Sequence, residues 1–273
     1  MGIVNVTPDS FSDGGRFLDP GRAIAHGARL AAEGADILDI GGESTRPGAE
    51  PVPLEEELRR VLPVVEGLAA AAESLPSPPQ ISIDTSKAPV AEAALEAGAS
   101  LVNDVTALRG DPEMAGLIAA RGAECCLMHM LGEPRTMQLE PRYGDVVAEV
   151  REFLARRLEF AVSHGVPEER ILIDPGIGFG KTEAHNLELL RRLDELRELG
   201  RPIVIGTSRK QFLGRIQARA SGASDPVDVD GRLAGTLATN VLAYERGASV
   251  FRVHDVAPVR DALAVAAATL GLR

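Results

Sequence analysis

Cysteine is scarce in this 273-residue chain, which has only two, the adjacent residues Cys125 and Cys126. Both lie in a short apolar run, which is typical of a buried strand. An adjacent buried pair does not suit a redox or metal site and indicates a reducing compartment. We therefore expect neither residue to take part in chemistry.

Long apolar runs and an excess of positive charge are also missing. No run approaches the roughly 20 residues that span a bilayer, and no signal peptide precedes the first motif. The 29 basic residues are outnumbered by 40 acidic ones, which gives a net charge of −11. This balance argues against a general nucleic-acid binder and an anionic-membrane binder. We expect a cytoplasmic protein, in which a local basic pocket for an anionic small molecule remains compatible with the charge.

Lysine occurs only three times, at Lys87, Lys181 and Lys210. A general preference for arginine explains the low number. Each lysine nevertheless follows shortly after a predicted strand, so all three point to the same kind of place in the fold.

Eight short apolar segments alternate with eight helical patterns along the chain. The predicted strands are 1–6, 35–40, 80–83, 100–102, 123–128, 171–173, 202–205 and 249–253. The predicted helices are 20–33, 54–74, 88–97, 112–121, 145–164, 183–199, 231–246 and 258–270.

Continuously apolar strands are buried on both faces, which is typical of a parallel sheet. Eight strand–helix units over this length, with 45% hydrophobic residues, favour a (β/α)8 TIM barrel over an open doubly wound sheet. No shift in composition marks a second domain, so we predict one α/β domain over residues 1–273.

Several motifs of common enzyme classes are absent. The turn ending at Gly180, Lys181 and Thr182 resembles a phosphate-binding P-loop, but that motif needs glycine where Pro175 stands. No Gly-x-Gly-x-x-Gly follows the first strand, and no Gly-x-Ser-x-Gly elbow is present. The five histidines lack the spacing of a zinc site. These absences argue against a nucleotide triphosphatase, a dinucleotide-binding fold, a serine hydrolase and a zinc enzyme.

Polar side chains follow every predicted strand. Any single one of these residues can be a turn former or a helix cap. The loops at the opposite ends of the strands are short and carry few such side chains, so the presence of polar residues after all eight strands indicates a functional site. Active sites of this barrel class lie at the carboxyl ends of the strands. The candidates there are Asn5, Glu43, Thr45, Arg46, Asp84, Asn103, Asp104, His129, Asp174, Ser208, Arg209, Lys210, Arg252 and His254.

The mixture of side chains indicates two kinds of ligand group. Two carboxylates and an amide, Asp84, Asn103 and Asp174, face one barrel axis and can pair with the donor-rich edge of a heterocycle. Cations that suit a phosphorylated group come from the other strand ends, namely Arg46, Lys210, Arg252 and His254. Asn5 could reach a Mg²⁺ on that group, since magnesium prefers oxygen ligands and few protein contacts.

Taken together, these motifs resemble the dihydropteroate synthase family, and the resemblance spans nearly the whole chain in order. The motifs that carry it are 5–15 (NVTPDSFSDGG), 42–48 (GESTRPG), 82–85 (SIDT), 103–104 (ND), 128–130 (MHM), 174–181 (DPGIGFGK), 208–210 (SRK) and 252–255 (RVHD). The first two loops and the Ser-Arg-Lys run are specific, whereas the Asp-Pro-Gly turn also suits other pterin-binding barrels.

The resemblance implies a transferase of folate biosynthesis. The family joins 6-hydroxymethyl-7,8-dihydropterin diphosphate to p-aminobenzoate and releases pyrophosphate. It implies a pterin site of Asp84, Asn103, Met128, Asp174, Gly206, Lys210 and Arg252. It implies a site for pyrophosphate and p-aminobenzoate of Asn5, Pro8, Phe11, Thr45, Arg46, Pro47, Phe179, Ser208, Arg252 and His254. The catalytic residues would be Asp84, Asp174, Lys210, Arg252 and His254, with Mg²⁺ as cofactor on Asn5 and the first two loops closing over the site.

The resemblance also implies a mechanism. The attacking group is a neutral aniline-type amine, which needs little activation, so no strong base is expected. The difficult step is cleavage of the C–O bond to pyrophosphate, whose charge Mg²⁺ and cations would stabilise. We expect a dissociative displacement in which carboxylates stabilise a pterin cation.

Two other functions stay open at the sequence level. A pterin-binding methyltransferase barrel would share Asp84, Asn103 and Asp174, but would not be expected to keep the first-loop motif or the Ser-Arg-Lys run. A non-catalytic pterin-binding paralogue would keep the binding residues.

The resemblance also bears on assembly and on the amino-terminal region. The family is usually dimeric through its last helices, which are rich in alanine here, and we expect a homodimer. The family also usually carries a segment before the first strand, often a hairpin closing the barrel bottom, whereas the first predicted strand here starts at Met1.

Overall fold

A computed structural model describes residues 1–7, 19–45, 48–72, 75–133 and 135–271. Its eight parallel strands lie in chain order in one sheet. They are β1 (Gly2–Asn5), β2 (Ile37–Gly41), β3 (Gln80–Asp84), β4 (Leu101–Asp104), β5 (Glu124–Met128), β6 (Ile171–Asp174), β7 (Ile203–Ile205) and β8 (Ala248–Phe251). The sheet closes on itself, because Ile3 N donates to Val253 O at 3.0 Å and Val253 N donates to Met1 O at 2.9 Å. The predicted barrel is confirmed.

Helices cover the outside of the sheet. They are α1 (Pro20–Ala32), α2 (Leu54–Ala72), α3 (Ala88–Glu96), α4 (Met114–Arg121), α5 (Val146–Ser163), α6 (Glu183–Arg191), α7 (Gln211–Ser221), α8 (Leu233–Glu245) and α9 (Val256–Leu270). None of the helices within the described ranges combines the length and the apolar character needed to cross a membrane.

Two helix predictions are wrong in detail. The segment between β7 and the predicted helix 231–246 contains a further helix, α7, which ends at Ser221. The next residue, Gly222, adopts the left-handed conformation that is common after helices and that glycine adopts easily. The predicted helix 183–199 is divided, because α6 ends at Arg191 and a 3₁₀ helix covers Leu193–Leu199. Leu193 and Leu196 are both buried, and their three-residue spacing suits a 3₁₀ helix as well as an α-helix.

The barrel interior changes from apolar to polar along the strands. Strand side chains alternate between the helix layer and the barrel axis. One level inside the barrel is an apolar cluster that includes Leu101, Cys126 and Leu172. Above it, toward the carboxyl ends, the axis-facing residues are Asp84, Asn103 and Asp174. This change leaves polar groups at one mouth of the barrel above a closed apolar floor.

Both cysteines are fully buried and unpaired, as the sequence predicted. Cys125 belongs to the main core and Cys126 to the apolar floor of the barrel. Burial raises the pKa of the Cys125 thiol to about 12, so it stays protonated and unreactive at neutral pH.

Candidate active site

An arginine joins two carboxylates across the barrel mouth. Arg252, just after β8, donates from Nε to Asp39 Oδ2 at 2.6 Å and from Nη2 to Asp84 Oδ2 at 2.7 Å. Asp39 lies in the middle of β2 and Asp84 ends β3. The planar guanidinium fork can hold both acids at once, which a lysine could not do in the same geometry.

Asp39 is a site residue that sequence reasoning missed. It is completely buried and also accepts hydrogen bonds from Ser82 Oγ at 2.6 Å and Asn103 Nδ2 at 3.0 Å. The available signal was an acid inside an otherwise apolar strand, because a buried carboxylate needs partners. Asp39 was missed because the predicted candidates were taken from the ends of the strands, whereas Asp39 lies within one. We call Asp39, Asp84, Asn103 and Arg252 the acid–arginine cluster.

The acid–arginine cluster has two carboxyl groups but one cation. Burial raises the pKa of Asp84 from 3.8 to about 7, an effect that Arg252 opposes and Asp39 strengthens. Burial works to lower the pKa of Arg252, but Asp39 and Asp84 hold it above its ordinary value. Asp84 is therefore the group in this cluster that gains or loses a proton near neutral pH.

The other acid of the predicted pterin site lies across the mouth from this cluster. Asp174 ends β6 beside Met128 of β5, and its Oδ1 accepts a hydrogen bond from Gly176 N at 2.7 Å. Burial raises the pKa of Asp174. The carboxyl group is thus fixed by the glycine turn that follows its own strand.

That turn, residues 175–180, is pressed against the end of β5. A Cβ on Gly176 would lie 1.9 Å from His129 O, and Gly176 has a φ of +67°. A Cβ on Gly180 would come within 2.8 Å of Leu131 O. Glycine is required at both positions because a side chain would force the turn away from β5. We call this segment the glycine turn.

Phe179 lies on the side of the glycine turn that faces Lys210. The Lys210 Nζ is 4.3 Å from the centre of the Phe179 ring, within the range of a cation–π contact. An apolar cluster of Val105, Met128, Met130 and Met137 packs against the same ring. Together they form an apolar surface, and the Lys210 ammonium lies over its Phe179 ring.

Ser208 and His254 are also brought together. Ser208 Oγ lies 3.0 Å from His254 Nδ1 and accepts from His254 N at 3.1 Å. Arg209 between Ser208 and Lys210 instead pairs with Asp255, at 2.9 and 2.6 Å, and adopts a φ of +57°. Its side chain therefore fixes the Ser-Arg-Lys turn to the start of α9.

Two further strand-end candidates hold loops in place. Asp104 accepts from Thr106 N and Leu108 N, both at 2.8 Å, within the loop after β4. His129 is paired with the buried Lys181. Burial and the Lys181 charge lower the pKa of His129 to about 2, so its imidazole is neutral.

The loop between β2 and α2 reaches the mouth through Thr45. Thr45 and Asp84 line one cavity of about 190 Å³. Glu43 in this loop pairs with Lys87, which also pairs with the fully buried Glu57 of α2. Pro8, Phe11, Arg46 and Pro47 lie outside the described residues.

The remaining predicted residues are Asn5 and Gly206. Asn5 is half-buried at the carboxyl end of β1, and Gly206 is half-buried directly after β7. Among the residues that the structure describes, no group of three or more His, Cys, Asp or Glu side chains could hold a metal ion. A single amide oxygen suits a Mg²⁺ that is held mainly by substrate phosphate oxygens.

Comparison with known proteins agrees with this geometry. The sequence profile of the family described as "Pterin binding enzyme" matches residues 1–254. A dihydropteroate synthase of Mycobacterium leprae (strain TN) is 49% identical over 272 residues, which cover 99% of this chain and 93% of the relative.

Solved structures give the same assignment. Yersinia pestis dihydropteroate synthase in a complex with a sulfonamide drug superposes with a TM-score of 0.91 at 42% identity, covering 99% of this chain and 94% of that one. Xanthomonas albilineans dihydropteroate synthase with 4-aminobenzoic acid has a TM-score of 0.89 at 49% identity, covering 100% and 93%. The chain belongs to the dihydropteroate synthases, a family of pterin-binding enzymes.

Proposed function

We propose that this chain is a dihydropteroate synthase that condenses 6-hydroxymethyl-7,8-dihydropterin diphosphate with p-aminobenzoate. The products are 7,8-dihydropteroate and pyrophosphate. The observation that carries the proposal is the acid–arginine cluster facing Asp174 above the apolar floor of the barrel. Such a site offers carboxylate and amide oxygens at depth and cations toward the rim.

The deep residues suit the pterin ring. Its amino and ring N–H groups are donors, and Asp84, Asn103 and Asp174 supply acceptors from three strands. Arg252 crosses the mouth between Asp39 and Asp84, where its planar group can lie over the ring. Met128 next to Asp174 adds an apolar contact. Gly206 leaves room beside β7, and Lys210 approaches from the rim.

The rim residues suit the diphosphate. Arg252 and His254 supply donors to the leaving group, and Asn5 is the proposed protein ligand of Mg²⁺. Mg²⁺ bound there would neutralise charge that develops on the leaving oxygens. Arg252 would serve both substrate groups, because it pairs with Asp84 of the proposed pterin site and is itself a donor to the leaving group.

The aromatic amine would lie beside the glycine turn. Phe179 and Thr45 would border its ring, and Ser208 and Lys210 its carboxylate, with Pro8, Phe11, Arg46 and Pro47 as further contacts. In the proposed reaction the C–O bond to diphosphate breaks and its electron pair leaves with pyrophosphate. The amine nitrogen then forms the new C–N bond and releases a proton. Asp84 and Asp174 stabilise the positive charge on the pterin during the displacement.

The experiment that tests this function measures pyrophosphate release from the pterin diphosphate. We expect release that requires both p-aminobenzoate and Mg²⁺. Tight pterin binding without release under any of these conditions would instead support a non-catalytic pterin-binding protein. Transfer of a methyl group from a methylated folate would support the methyltransferase alternative.

We also propose a cytoplasmic homodimer that forms through α8 and α9. Apolar side chains project from both helices, since Leu242 is 45% exposed and Val265 is 68% exposed. Light scattering at micromolar concentration would test the assembly, and a monomer would contradict it.

A further inference from the structure

Lys181 is a buried cation that the proposed reaction does not use. It directly follows the glycine turn and is only 3% exposed. Its Nζ lies 2.8 Å from His129 Nδ1, 2.9 Å from Gly176 O and 2.9 Å from Phe179 O. His129 O lies farther away, at 3.4 Å. The cation therefore sits between the glycine turn and the end of β5.

The number of donors matches the number of close acceptors. An ammonium group has three N–H donors, and three acceptors surround Nζ within 2.9 Å. Two of them are backbone carbonyls at the start and near the end of the glycine turn, and the third is a side chain of the neighbouring strand end. One side chain thus ties both ends of the turn to β5.

The tied segment carries two groups of the proposed site. Gly176 N fixes the Asp174 carboxylate, and Phe179 supplies the ring beneath Lys210. The three positive φ angles, at Gly176, Gly178 and Gly180, make the backbone itself permissive. Asn186, Gln138 and Tyr143 restrain the backbone of Gly178 and Gly180, and Lys181 restrains Gly176 and Phe179, the residue that carries the aromatic ring.

We propose that Lys181 is a positioning residue for the aromatic amine substrate, which acts by fixing the glycine turn and thereby the Phe179 ring. This inference rests on the proposed function. It predicts that loss of the Lys181 ammonium weakens use of p-aminobenzoate more than use of the pterin diphosphate. Asp174 belongs to β6 and keeps its backbone pairing with β5, whereas the backbone of Phe179 lies within the turn and its carbonyl accepts directly from Lys181.

The arrangement tolerates either protonation state of Lys181. The groups whose charge faces it are Asp174, Lys210 and His185, with the neutral His129 in direct contact. Burial lowers the pKa of Lys181 to about 7. The ammonium donates to all three acceptors, whereas the neutral amine donates to two carbonyls and accepts from the other tautomer of His129. The turn therefore stays fixed on both sides of neutral pH.

The test compares Lys181→Met with the native protein in the pyrophosphate release assay. Methionine keeps the length and apolar body of the side chain but removes the Lys181 donor to Phe179 O and one of the two donors to Gly176 O, which still accepts from Phe179 N at 3.0 Å. We expect KM for p-aminobenzoate to rise about tenfold, while KM for the pterin diphosphate and kcat change less than about threefold. Equal changes in both KM values, or none, would overturn the proposal.

Leu154→Ala is the matched control for a general loss of stability. Leu154 is fully buried in α5 and has no role in the proposed site. Both variants should lower the free energy of unfolding, but only Lys181→Met should raise KM for p-aminobenzoate. If Leu154→Ala raises it equally, the effect is one of stability and the proposal fails.

A second variant and a measurement without substrate complete the test. His129→Leu removes one of the three acceptors, so KM for p-aminobenzoate should rise less than in Lys181→Met. In the double variant, this KM should not exceed that of Lys181→Met.

Amide hydrogen exchange within residues 175–181 should be faster in Lys181→Met than in the native protein and unchanged in Leu154→Ala. Equal exchange in native protein and Lys181→Met would overturn the inference even if the native protein released no pyrophosphate, an outcome that would separately contradict the proposed function.

Discussion

The two sides of the barrel mouth hold their functional groups in different ways. On the side of β2, β3 and β8, charged side chains restrain one another directly, with Arg252 between two acids. On the side of β5 and β6, a backbone turn fixes the Asp174 carboxyl group and carries Phe179, and the buried Lys181 holds the part of the turn that includes Phe179. Direct ion pairs hold the first side, which we call the charged side, whereas a restrained backbone turn holds the second.

Because of this difference, we expect substitutions on the two sides to affect different steps of the reaction. A change in the acid–arginine cluster alters the charge that the pterin meets, so it should affect the chemical step. A change in the glycine turn alters where an aromatic ring lies, so it should affect binding of the second substrate. Variants on each side can therefore show whether the division holds.

The largest effect is expected from Arg252→Met. This change leaves Asp39 and Asp84 buried without their cation, which should lower the free energy of unfolding by about 3–5 kcal/mol. It should also reduce kcat about a thousandfold, because the donor to the leaving group is lost. Urea unfolding and pyrophosphate release measure the two effects. A variant of near-native stability and turnover would show that the charged side does not work as a unit.

The pH dependence should follow Asp84 and respond to Asp39. The pKa of Asp84 is raised to about 7, so its carboxylate forms as pH rises through that value and kcat/KM for the pterin diphosphate should rise with it. Because the raised pKa favours the protonated group in the folded state, the same site should reduce stability as pH increases from about 4 to about 7. Rate profiles and unfolding curves over this range check both directions.

The Asp39→Asn variant sharpens that prediction. Asp39 strengthens the rise in the pKa of Asp84, so removing its charge should move the inflection to lower pH. Asp36→Asn is the matched control, because it removes the same charge from an exposed position before β2, at the opposite end of the strand. An inflection that stays in place in Asp39→Asn, or moves equally in Asp36→Asn, would contradict the assignment.

The smallest effect is expected from Lys87→Met. Lys87 ties Glu43 of the β2–α2 loop to the buried Glu57, whose other donor is Thr85 Oγ1 at 2.7 Å. Leaving the fully buried Glu57 carboxylate without its cation should cost about 3 kcal/mol of stability, the lower end of the range for a broken buried ion pair. The loop that carries Thr45 would lose one of its restraints, and KM for p-aminobenzoate should therefore rise only about threefold. The double variant Lys87→Met, Glu57→Gln should recover most of the lost stability, because it removes the unpaired buried charge, and thermal unfolding measures this. A double variant as unstable as Lys87→Met alone would contradict this account.

Much of the fold could be predicted from the sequence, because short apolar strands alternate with amphipathic helices. The barrel and the placement of Asp84, Asn103 and Asp174 around one axis follow from that pattern. Helix α7 was not predicted. It begins directly after the Ser-Arg-Lys run of the site, and its residues were interpreted as part of the same long loop. The division of the segment 183–199 could not be read from a leucine spacing that suits both helix types.

The contacts within the site were less accessible to sequence reasoning. Asp39 lies within a strand, and only the folded barrel shows that Arg252, about two hundred residues later, reaches it. Lys181 resembles part of a phosphate loop in the sequence, yet the structure turns it inward toward His129. Both cases depend on pairing between residues that are distant in the chain or on opposite sides of a turn, which local patterns do not encode.

The central claim is that the charged side of the mouth performs the chemistry, and Asp84→Asn tests it most directly. Asparagine keeps the shape and one acceptor oxygen but cannot stabilise a cation as a carboxylate does. We expect kcat to fall by about a hundredfold or more, while the dissociation constant for the pterin changes less than about tenfold. Unchanged turnover in Asp84→Asn would contradict the account and remove this residue from the catalytic step.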